Sequence, residues 1–286
     1  MIRLRPHLAA AAALVALAQP APAQGQTAEE ILRTVGARAR TRMQGVQNYT
    51  VNIKTMGQSV VSYASRGPDG AFHVQAGGTG EMAGMAAEMT GWADELLLMF
   101  GSGLAENSLT SEDIAAMTYG GVVNSLGAPA YRISASFNTA DGTAEVNEAM
   151  PRRMVLDVDT ATLLTRRMEV EMATGQGTPG SILMEFSDWR TVGGMLFPFR
   201  RHMVIRGIRA EVLGADTASG TQLLAQWRAR LAELPEARRE EMRQMLEVME
   251  GLVKRDEMVL DEIVTSVAVN QGPPAGITFA PHGQDP

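Results

Sequence analysis

Cysteine is absent from the 286 residues of this chain, and histidine occurs only four times. The lack of thiols excludes disulfide cross-links, thiol catalysis and acylation of an N-terminal cysteine. None of the histidines has the spacing of a metal ligand, and there is no H-E-x-x-H, G-x-S-x-G or Walker motif. We therefore predict no catalytic residue, no metal site and no cofactor.

Long apolar runs are also absent, apart from one near the N-terminus. Two arginines precede an apolar stretch over residues 8–18, and Ala21-Pro22-Ala23 supplies a small-residue cleavage site. The stretch is shorter than the roughly 20 residues that a membrane-spanning helix needs. This pattern is typical of a cleaved signal peptide over residues 1–23, with a retained anchor as the alternative. We expect residues 24–286 to form a single exported, soluble domain that is not lipidated.

Positive charge is in short supply. The chain has 25 Lys and Arg against 32 Asp and Glu, and losing Arg3 and Arg5 with the signal peptide changes the net charge from −7 to −9. Such an acidic chain does not attract a phosphate backbone, so no nucleic-acid partner is expected. Methionine, by contrast, is abundant, with 19 residues against 7 Phe and 4 Tyr. Flexible Met side chains suit a surface that fits varied apolar partners, but they also fill gaps in an ordinary core, and both interpretations stay open.

The folded part is predicted to begin with a helix and then to change to strands. Thr27-Ala-Glu-Glu30 is a capping box, and apolar residues follow it at helical spacing. Strand-like alternation then returns at intervals, over residues 48–55, 59–66, 71–75, 131–137, 154–158 and 163–172. Gly, Pro and Asp turns separate these segments. We therefore predict a mainly β, α+β domain.

One stretch between the strands predicts an amphipathic helix with a methionine-rich face. Its apolar residues recur at steps of three and four, namely Met82, Met85, Met89, Trp92, Leu96 and Phe100. A sheet with one apolar face needs a cover, and this helix is the available one. If it is loosely held, we expect its six apolar side chains to form a lipid-binding lid.

A hairpin with one apolar face and one charged face carries the other candidate lipid-binding residues. Six side chains fall on one side of its two strands, namely Met184, Phe186, Met195, Phe197, Phe199 and Arg201. Pro198 falls on the opposite side, and its missing N–H suggests an edge or irregular position. An inward arginine is costly unless it is paired or wet. Arg201 is expected to meet a carboxylate, to bind a ligand head group near the cavity rim or, as the favoured outcome, to reach solvent at a strand end.

An insertion over about residues 221–256 differs in composition from the strands. Two apolar stripes at helical spacing, separated by Pro235, predict a helical hairpin. We expect this hairpin to be an attachment whose removal leaves the sheet folded, because loop length is thermodynamically inexpensive. A closing strand over residues 258–270 follows, with Ile263, Thr265, Val267 and Val269 at alternate positions.

Two segments carry a family resemblance. The first is Phe186-Ser-Asp-Trp-Arg-Thr-Val-Gly-Gly-Met-Leu-Phe-Pro198, and the second is Val264-Thr-Ser-Val-Ala-Val-Asn270, followed by Ile277-Thr-Phe279. Together with the leader, the first helix and the strand that follows it, they resemble the outer-membrane lipoprotein-sorting family of LolA-like periplasmic carriers. The 221–256 hairpin is not part of that family's archetype. The early strands also lack its Pro-x-x-(Phe/Arg) segment.

This resemblance implies an unclosed, strongly curved antiparallel β-barrel wrapped around covering helices, with a hydrophobic cavity for acyl chains. It implies a periplasmic, non-enzymatic carrier or chaperone whose partners are lipoprotein acyl chains or other lipids. A regulatory or scaffold protein of the same fold, which senses lipoproteins or binds a membrane protein transiently, is the second hypothesis. A secreted hydrolase with a polar cleft that includes Asp188 and His202 is the third.

Overall fold

The computed structural model of the chain describes residues 27–68, 70–78, 84, 86–87, 90–91, 94, 117–136, 151–172, 180–209, 217–277 and 279. Within these residues the continuous helices are α1 (Ala28–Arg42), α2 (Thr217–Glu233) and α3 (Glu236–Arg255), and six other residues between positions 84 and 94 are also helical. The strands are β1 (Asn48–Thr55), β2 (Gln58–Arg66), β3 (Phe72–Gly78), β4 (Thr118–Ser125), β5 (Ala128–Ser136), β6 (Pro151–Asp159), β7 (Thr165–Met172), β8 (Gly180–Val192), β9 (Met195–Arg206) and β10 (Glu257–Val269).

All ten strands belong to one antiparallel sheet, in the order β3-β2-β1-β10-β9-β8-β7-β6-β5-β4. The strands at its two ends, β3 and β4, are not neighbours, so the sheet does not close on itself. This confirms the prediction of a mainly β domain built on an unclosed antiparallel sheet with helices.

Alternate residues of the strands are buried on one side, which we call the inner face. Across four adjacent strands, Met168 lies opposite Met184, Met184 opposite Met203, and Met203 opposite Leu260. All four side chains are buried, and they belong to a single hydrophobic cluster that the strands share with the helices. The period of two that predicts the strands therefore also builds the core.

The first helix begins where the capping box predicts. The Thr27 side chain accepts a hydrogen bond from the Glu30 backbone N–H, and the Glu30 carboxylate accepts one from the Thr27 N–H. Ile31 and Val35 then recur along the helix and are buried in the common cluster, and Ala39 is also buried. No helix in the described part of the chain is long and apolar enough to cross a membrane.

Strand β9 has two ladder partners over only part of its length. Strand β10 pairs with β9 only from Glu257 opposite Arg206 to Ile263 opposite Arg200, and its second half pairs with β1. The first residues of β9 therefore have only β8 as a ladder neighbour among the described strands. Pro198 lies in this stretch, where its missing N–H removes no hydrogen bond from a second ladder. The predicted edge position agrees with this arrangement.

A register shift in β10 changes which of its residues face inward. The shift falls where the β1 partner changes from Asn52 to Ile53. Before it, four even-numbered residues are buried, namely Met258, Leu260, Glu262 and Val264, whereas Ile263 is 52% exposed. After it, Val267 and Val269 pack against the core. The alternation predicted from Ile263 onward is therefore wrong at its start, because a β-bulge reverses the face.

The inserted hairpin contributes to the core, which corrects the expectation that it is a dispensable attachment. Leu224 of α2 and both Met245 and Met249 of α3 are buried in the cluster that contains the sheet. The backbone of α3 also approaches β10 closely, since a Cβ added at Gly251 would lie 2.6 Å from the carbonyl oxygen of Glu257. Removal of the hairpin would expose apolar side chains on both sides of this contact.

Strand β4 was not predicted from the sequence. Most of its residues are half-buried or exposed, and it lies at one end of the sheet. It contains Gly120 and Gly121, and its ladder to β5 shifts register between Tyr119 and Val122. A strand with little burial and two glycines lacks the apolar alternation on which sequence recognition depends.

Candidate functional site: the inner face and its buried charge cluster

The candidate lining residues of the β8–β9 hairpin lie together on the inner face. The six are Met184, Phe186, Met195, Phe197, Phe199 and Arg201, and all are buried. Phe186 is opposite Arg201 in the ladder, and the ring of Phe197 contacts that of Tyr49 at a centroid distance of 6.0 Å. The predicted face is therefore confirmed. Binding of lipid by these residues stays a prediction.

Methionine dominates the deepest part of this face. Among the described residues, seven of the twelve largest fully buried side chains are methionines, namely Met154, Met168, Met184, Met195, Met203, Met245 and Met258. They come from α3 and from the adjacent strands β10, β9, β8, β7 and β6, so the inner wall is rich in methionine across half of the ten strands. Unbranched thioether side chains can repack around apolar groups of different shape.

The candidate lid residues Met82, Met85, Met89, Trp92, Leu96 and Phe100 lie outside the described residues. Their neighbours Gly84, Ala86, Ala87, Thr90, Gly91 and Asp94 are described, and each is helical. We call these six residues the cover segment. Ala86, Thr90 and Asp94 are buried and are spaced four residues apart, so they lie on one side of the helix.

Arg201 is buried, with 2% of its surface exposed, rather than reaching solvent at a strand end as favoured from the sequence. Its guanidinium Nη1 donates a hydrogen bond to Oδ1 of Asp94 in the cover segment. Its Nε lies 2.9 Å from Oε2 of Glu262 on β10. Arg201 therefore meets carboxylates, which is one of the three predicted outcomes, and its engagement inside the molecule removes the basis for a head-group role at the rim.

A second polar contact joins the cover segment to the same cluster. The Thr90 hydroxyl donates a hydrogen bond to Oε1 of Glu262, at 2.8 Å. One helical face of the cover segment thus reaches both Arg201, through Asp94, and Glu262, through Thr90. The cover segment is held to the sheet by polar contacts within an otherwise apolar wall.

The environment of the cluster shifts the titration of its members. Burial raises the pKa of the Glu262 carboxyl, and the attraction of Arg201 only partly offsets this effect. Burial also acts to lower the pKa of Arg201, but Asp94 and Glu262 keep that pKa above its ordinary value. The pKa of the nearby Tyr49 hydroxyl is raised, chiefly by burial and then by Asp94. Arg201 is therefore charged and Tyr49 neutral at ordinary pH.

Several polar atoms of the cluster are buried without a hydrogen-bond partner in the described part of the chain. They are Asp94 Oδ2, Glu262 Oε2, and Nε and Nη2 of Arg201. The contact between Arg201 Nε and Glu262 Oε2 is close enough for an ion pair, but it is not aligned as a hydrogen bond. Buried polar atoms of this kind are costly and uncommon.

The sequence did not point to Thr90, Asp94 or Glu262, although two signals were present. An arginine in a run of inward apolar residues requires a carboxylate partner. Glu262 also interrupts an alternation of Met258, Leu260 and Val264, but the β-bulge concealed that register. Asp94 could not have been assigned as its partner, because nothing in the sequence places the cover segment beside β9.

Asp188 and His202, proposed as members of a hydrolytic cleft, are not brought together. Asp188 is bound by Arg190, with nitrogen–oxygen distances of 3.0 and 2.6 Å, and this hydrogen bonding lowers the pKa of Asp188. His202 lies on the outer face, where its Nδ1 is 2.8 Å from Asp261. An acid with a lowered pKa is a poor proton donor at neutral pH, so this pair does not support the hydrolase hypothesis.

A groove of about 840 Å³ lies between α3 and the β1–β2 turn. Its α3 wall includes Glu247 and Val248, its opposite wall includes Lys54 and Met56, and the exposed Ile263 of β10 also lines it. The groove is separate from the inner face, since Ile263 and Lys54 are paired residues on the outer face of the sheet.

Comparison with known proteins gives two solved structures that resemble this one at low sequence identity. No family model and no curated protein matches the chain. A DUF1329 family protein from Desulfovibrio piger is 11% identical, with a TM-score of 0.42 over 87% of this chain and 96% of its own. A domain assigned to the outer membrane lipoprotein-sorting proteins, from Vibrio parahaemolyticus, is 8% identical, with a TM-score of 0.40 over 87% of this chain and 95% of its own. At such values the functional argument depends on the geometry of the site.

Proposed function

We propose that this protein is a non-enzymatic periplasmic carrier or chaperone that binds acyl chains of lipoproteins, or other lipids, against the inner face of its sheet. The observation that carries the proposal is the methionine-rich inner wall, which is joined to its cover segment by polar contacts. Burial of an acyl chain contributes about 0.8 kcal/mol per CH₂, so such a wall is a strong binding surface once it is accessible.

The way in which the cover segment is attached supports this proposal. A permanent cover over an apolar wall is most stable with apolar contacts, because the desolvation of charges offsets much of the energy of a buried ion pair. Here the apolar contacts of Ala86 and Ala87 are combined with polar contacts from Asp94 and Thr90. Such contacts can exchange with water when the cover segment moves away, which leaves the methionine side chains free to accept an acyl chain.

A pair of substitutions in β9 tests lipid binding. Phe197→Asp places a charge on the inner face, and Leu196→Asp places the same charge one residue away on the half-buried opposite side. We expect Phe197→Asp to weaken binding of a fluorescent fatty-acyl probe at least tenfold and Leu196→Asp to leave it nearly unchanged. Circular dichroism checks the fold, and Phe197→Ala replaces Phe197→Asp if that variant does not fold.

Native mass spectrometry of the protein purified from its own periplasm provides a measurement without any substitution. Bound lipid that is released by Phe197→Asp supports the carrier. Absence of lipid, together with equal probe binding by both aspartate variants, would overturn it. That outcome would favour the second candidate, a regulatory or scaffold protein, and the groove between α3 and the β1–β2 turn would then be the surface to examine for a membrane-protein partner.

A further inference from the structure

The buried cluster contains more acid than base. Arg201 supplies one positive charge, while Asp94 and Glu262 supply two carboxyl groups, and no side chain of the three is more than 2% exposed. With both carboxyls ionised, the cluster would carry a net charge of −1 away from water. An isolated buried charge is so unfavourable that the group takes up a proton instead. The same constraint makes two neighbouring carboxylates share a proton.

The geometry distinguishes the two acids. Asp94 Oδ1 accepts a hydrogen bond from Arg201, whereas the contact between Glu262 and Arg201 is not aligned as a hydrogen bond. Glu262 Oε1 accepts instead from the neutral hydroxyl of Thr90. Its Oε2 and Asp94 Oδ2 are both buried acceptors without a hydrogen-bond donor among the described residues. A proton on one of two such oxygens turns an acceptor into a donor.

We infer that Glu262 holds a proton while the cover segment is closed on the sheet, and that loss of this proton to solvent loosens the segment. The protonation is a property of the closed cluster alone. Its use as control over access to the inner face rests on the proposed carrier function. The protein would then hold its cover tightly in acid and release it more readily as the pH rises.

The direction follows from proton linkage. Burial raises the pKa of Glu262 in the closed form above its ordinary value of 4.5, which applies when the carboxyl is solvated. A raised pKa stabilises the closed form fully below that ordinary value. The stabilisation decreases as the pH rises from 4.5 through the pKa of the closed form. Opening therefore becomes more frequent with rising pH, by up to about tenfold per unit within this window.

Charged groups act on Glu262 from two other elements, namely Arg201 on β9 and Asp94 on the cover segment. Tyr49 of β1 is a titratable neighbour of these two residues. Thr90 adds a neutral hydroxyl. Arg201 stays charged and Tyr49 stays neutral at ordinary pH, so neither of them accounts for a change of charge in this range.

A thiol probe can follow the cover segment without any lipid, because the chain has no cysteine of its own. Ala87→Cys places one thiol at a buried position in the segment. Ala37→Cys places a reference thiol at an exposed position on α1. The ratio of their labelling rates removes the intrinsic effect of pH on thiol reactivity, so it reports opening of the segment.

Two glutamate substitutions in the Ala87→Cys protein then test the assignment. Glu262→Gln keeps the shape of the acid and mimics its protonated form. Glu257→Gln removes an acid of the same strand that pairs with Arg206 outside the cluster. We expect the labelling ratio to rise with pH above 4.5 in the parent and in Glu257→Gln, and to stay low and flat in Glu262→Gln.

A flat ratio in the parent would overturn the inference, and so would a pH dependence that persists in Glu262→Gln. If Glu262→Gln does not fold, isotope-edited infrared spectroscopy of the otherwise unaltered protein decides the matter. The band of a protonated glutamic acid at pH values above the ordinary glutamate range supports the inference, and its absence contradicts it. None of these measurements involves lipid, so a failure here is distinct from a failure of the carrier proposal.

Discussion

The two faces of the sheet differ in the exposure and the ion-pair partners of their arginine residues. On the outer face, Arg132 of β5 makes two parallel hydrogen bonds of 2.8 Å with Asp157 of β6. The Arg132 side chain is 36% exposed and that of Asp157 only 1%. On the inner face, Arg201 is buried between two carboxylates. Four buried polar atoms of this cluster have no hydrogen-bond partner among the described residues, and three of them belong to Arg201 and Glu262.

This difference separates a contact between neighbouring strands from a contact between the sheet and its cover segment. The outer pair is one acid to one base, with the bidentate geometry that gives the strongest ion pairs. The inner cluster has an excess of acid and incomplete hydrogen bonding, although apolar side chains would satisfy a permanently closed interior. The free-energy cost of this inner cluster is consistent with a contact between Asp94 and Arg201 that forms and breaks reversibly.

Removing each arginine in turn should give the largest effect and test the comparison directly. Arg201→Leu leaves two carboxyls in the core without their cation, so we expect it to cost about 3–5 kcal/mol of the free energy of unfolding. Arg132→Leu leaves the carboxylate of Asp157 without its cation. Because the Arg132 side chain that covers this carboxylate is 36% exposed, water can move in when the guanidinium is removed, and the change should cost about 1–3 kcal/mol.

Urea denaturation of both variants, with midpoints compared at equal slopes, gives the two free energies. Arg132→Gln is a useful third variant, because it keeps one donor beside Asp157 and should recover part of the loss. An Arg132→Leu loss that equals or exceeds that of Arg201→Leu would show that the two faces do not differ in the way described.

The apolar residues of the two faces should differ next in size of effect. Met249 of α3 is buried in the common cluster, and Ile263 of β10 is 52% exposed on the outer face. Met249→Ala should cost about 2–5 kcal/mol through lost burial and the cavity that remains. Ile263→Ala should cost less than about 1 kcal/mol, because 52% of the Ile263 surface stays exposed in the folded protein. Thermal and urea unfolding of both variants give the comparison.

The same pair measures how much the helical hairpin contributes to the stability of the core. A small loss in Met249→Ala would mean that the packing of α3 in the common cluster contributes little. A large loss would support the expectation that deletion of the hairpin unfolds the sheet.

Periodicity was sufficient to predict the inner face but not its partners. The alternation of Phe197, Phe199 and Arg201 placed these residues correctly, because strand geometry fixes the side to which every second residue points. The inward orientation of Glu262 could not be predicted, because a β-bulge in β10 changes which residues face inward and the sequence gives no clear signal of it. Asp94 was beyond reach for a different reason, since its contact with Arg201 joins residues 107 positions apart.

The insertion shows a second limit of sequence reasoning. Its helices were predicted from their apolar stripes, but a stripe does not reveal which surface it will cover. The buried Met245 belongs to the same hydrophobic cluster as the inner residues of the sheet. The contact of Gly251 with the Glu257 backbone was likewise hidden, because glycine within a helix can mark either a weak point or a close approach.

The smallest expected effect comes from an ion-pair network on the surface of the hairpin, and it tests how little such contacts contribute outside the core. Arg228 of α2 and Lys254 of α3 both donate hydrogen bonds to Glu250. The hydrogen bond from Arg228 has the larger effect, and together the two lower the pKa of Glu250 to about 2. The Glu250 side chain is 32% exposed, so solvent screens the network, and Glu250→Gln should cost less than about 1 kcal/mol at neutral pH.

Because the pKa of Glu250 is lowered on folding, this contribution is present above the ordinary value of 4.5 and is lost as the pH falls towards 2. The free energies of unfolding of the parent and of Glu250→Gln should therefore differ slightly at pH 6 and converge in acid, whereas Glu257→Gln serves as a second surface comparison. A difference at pH 6 as large as that for Arg201→Leu would contradict the distinction between the two faces, because an exposed network would then stabilise the protein as much as the buried cluster does.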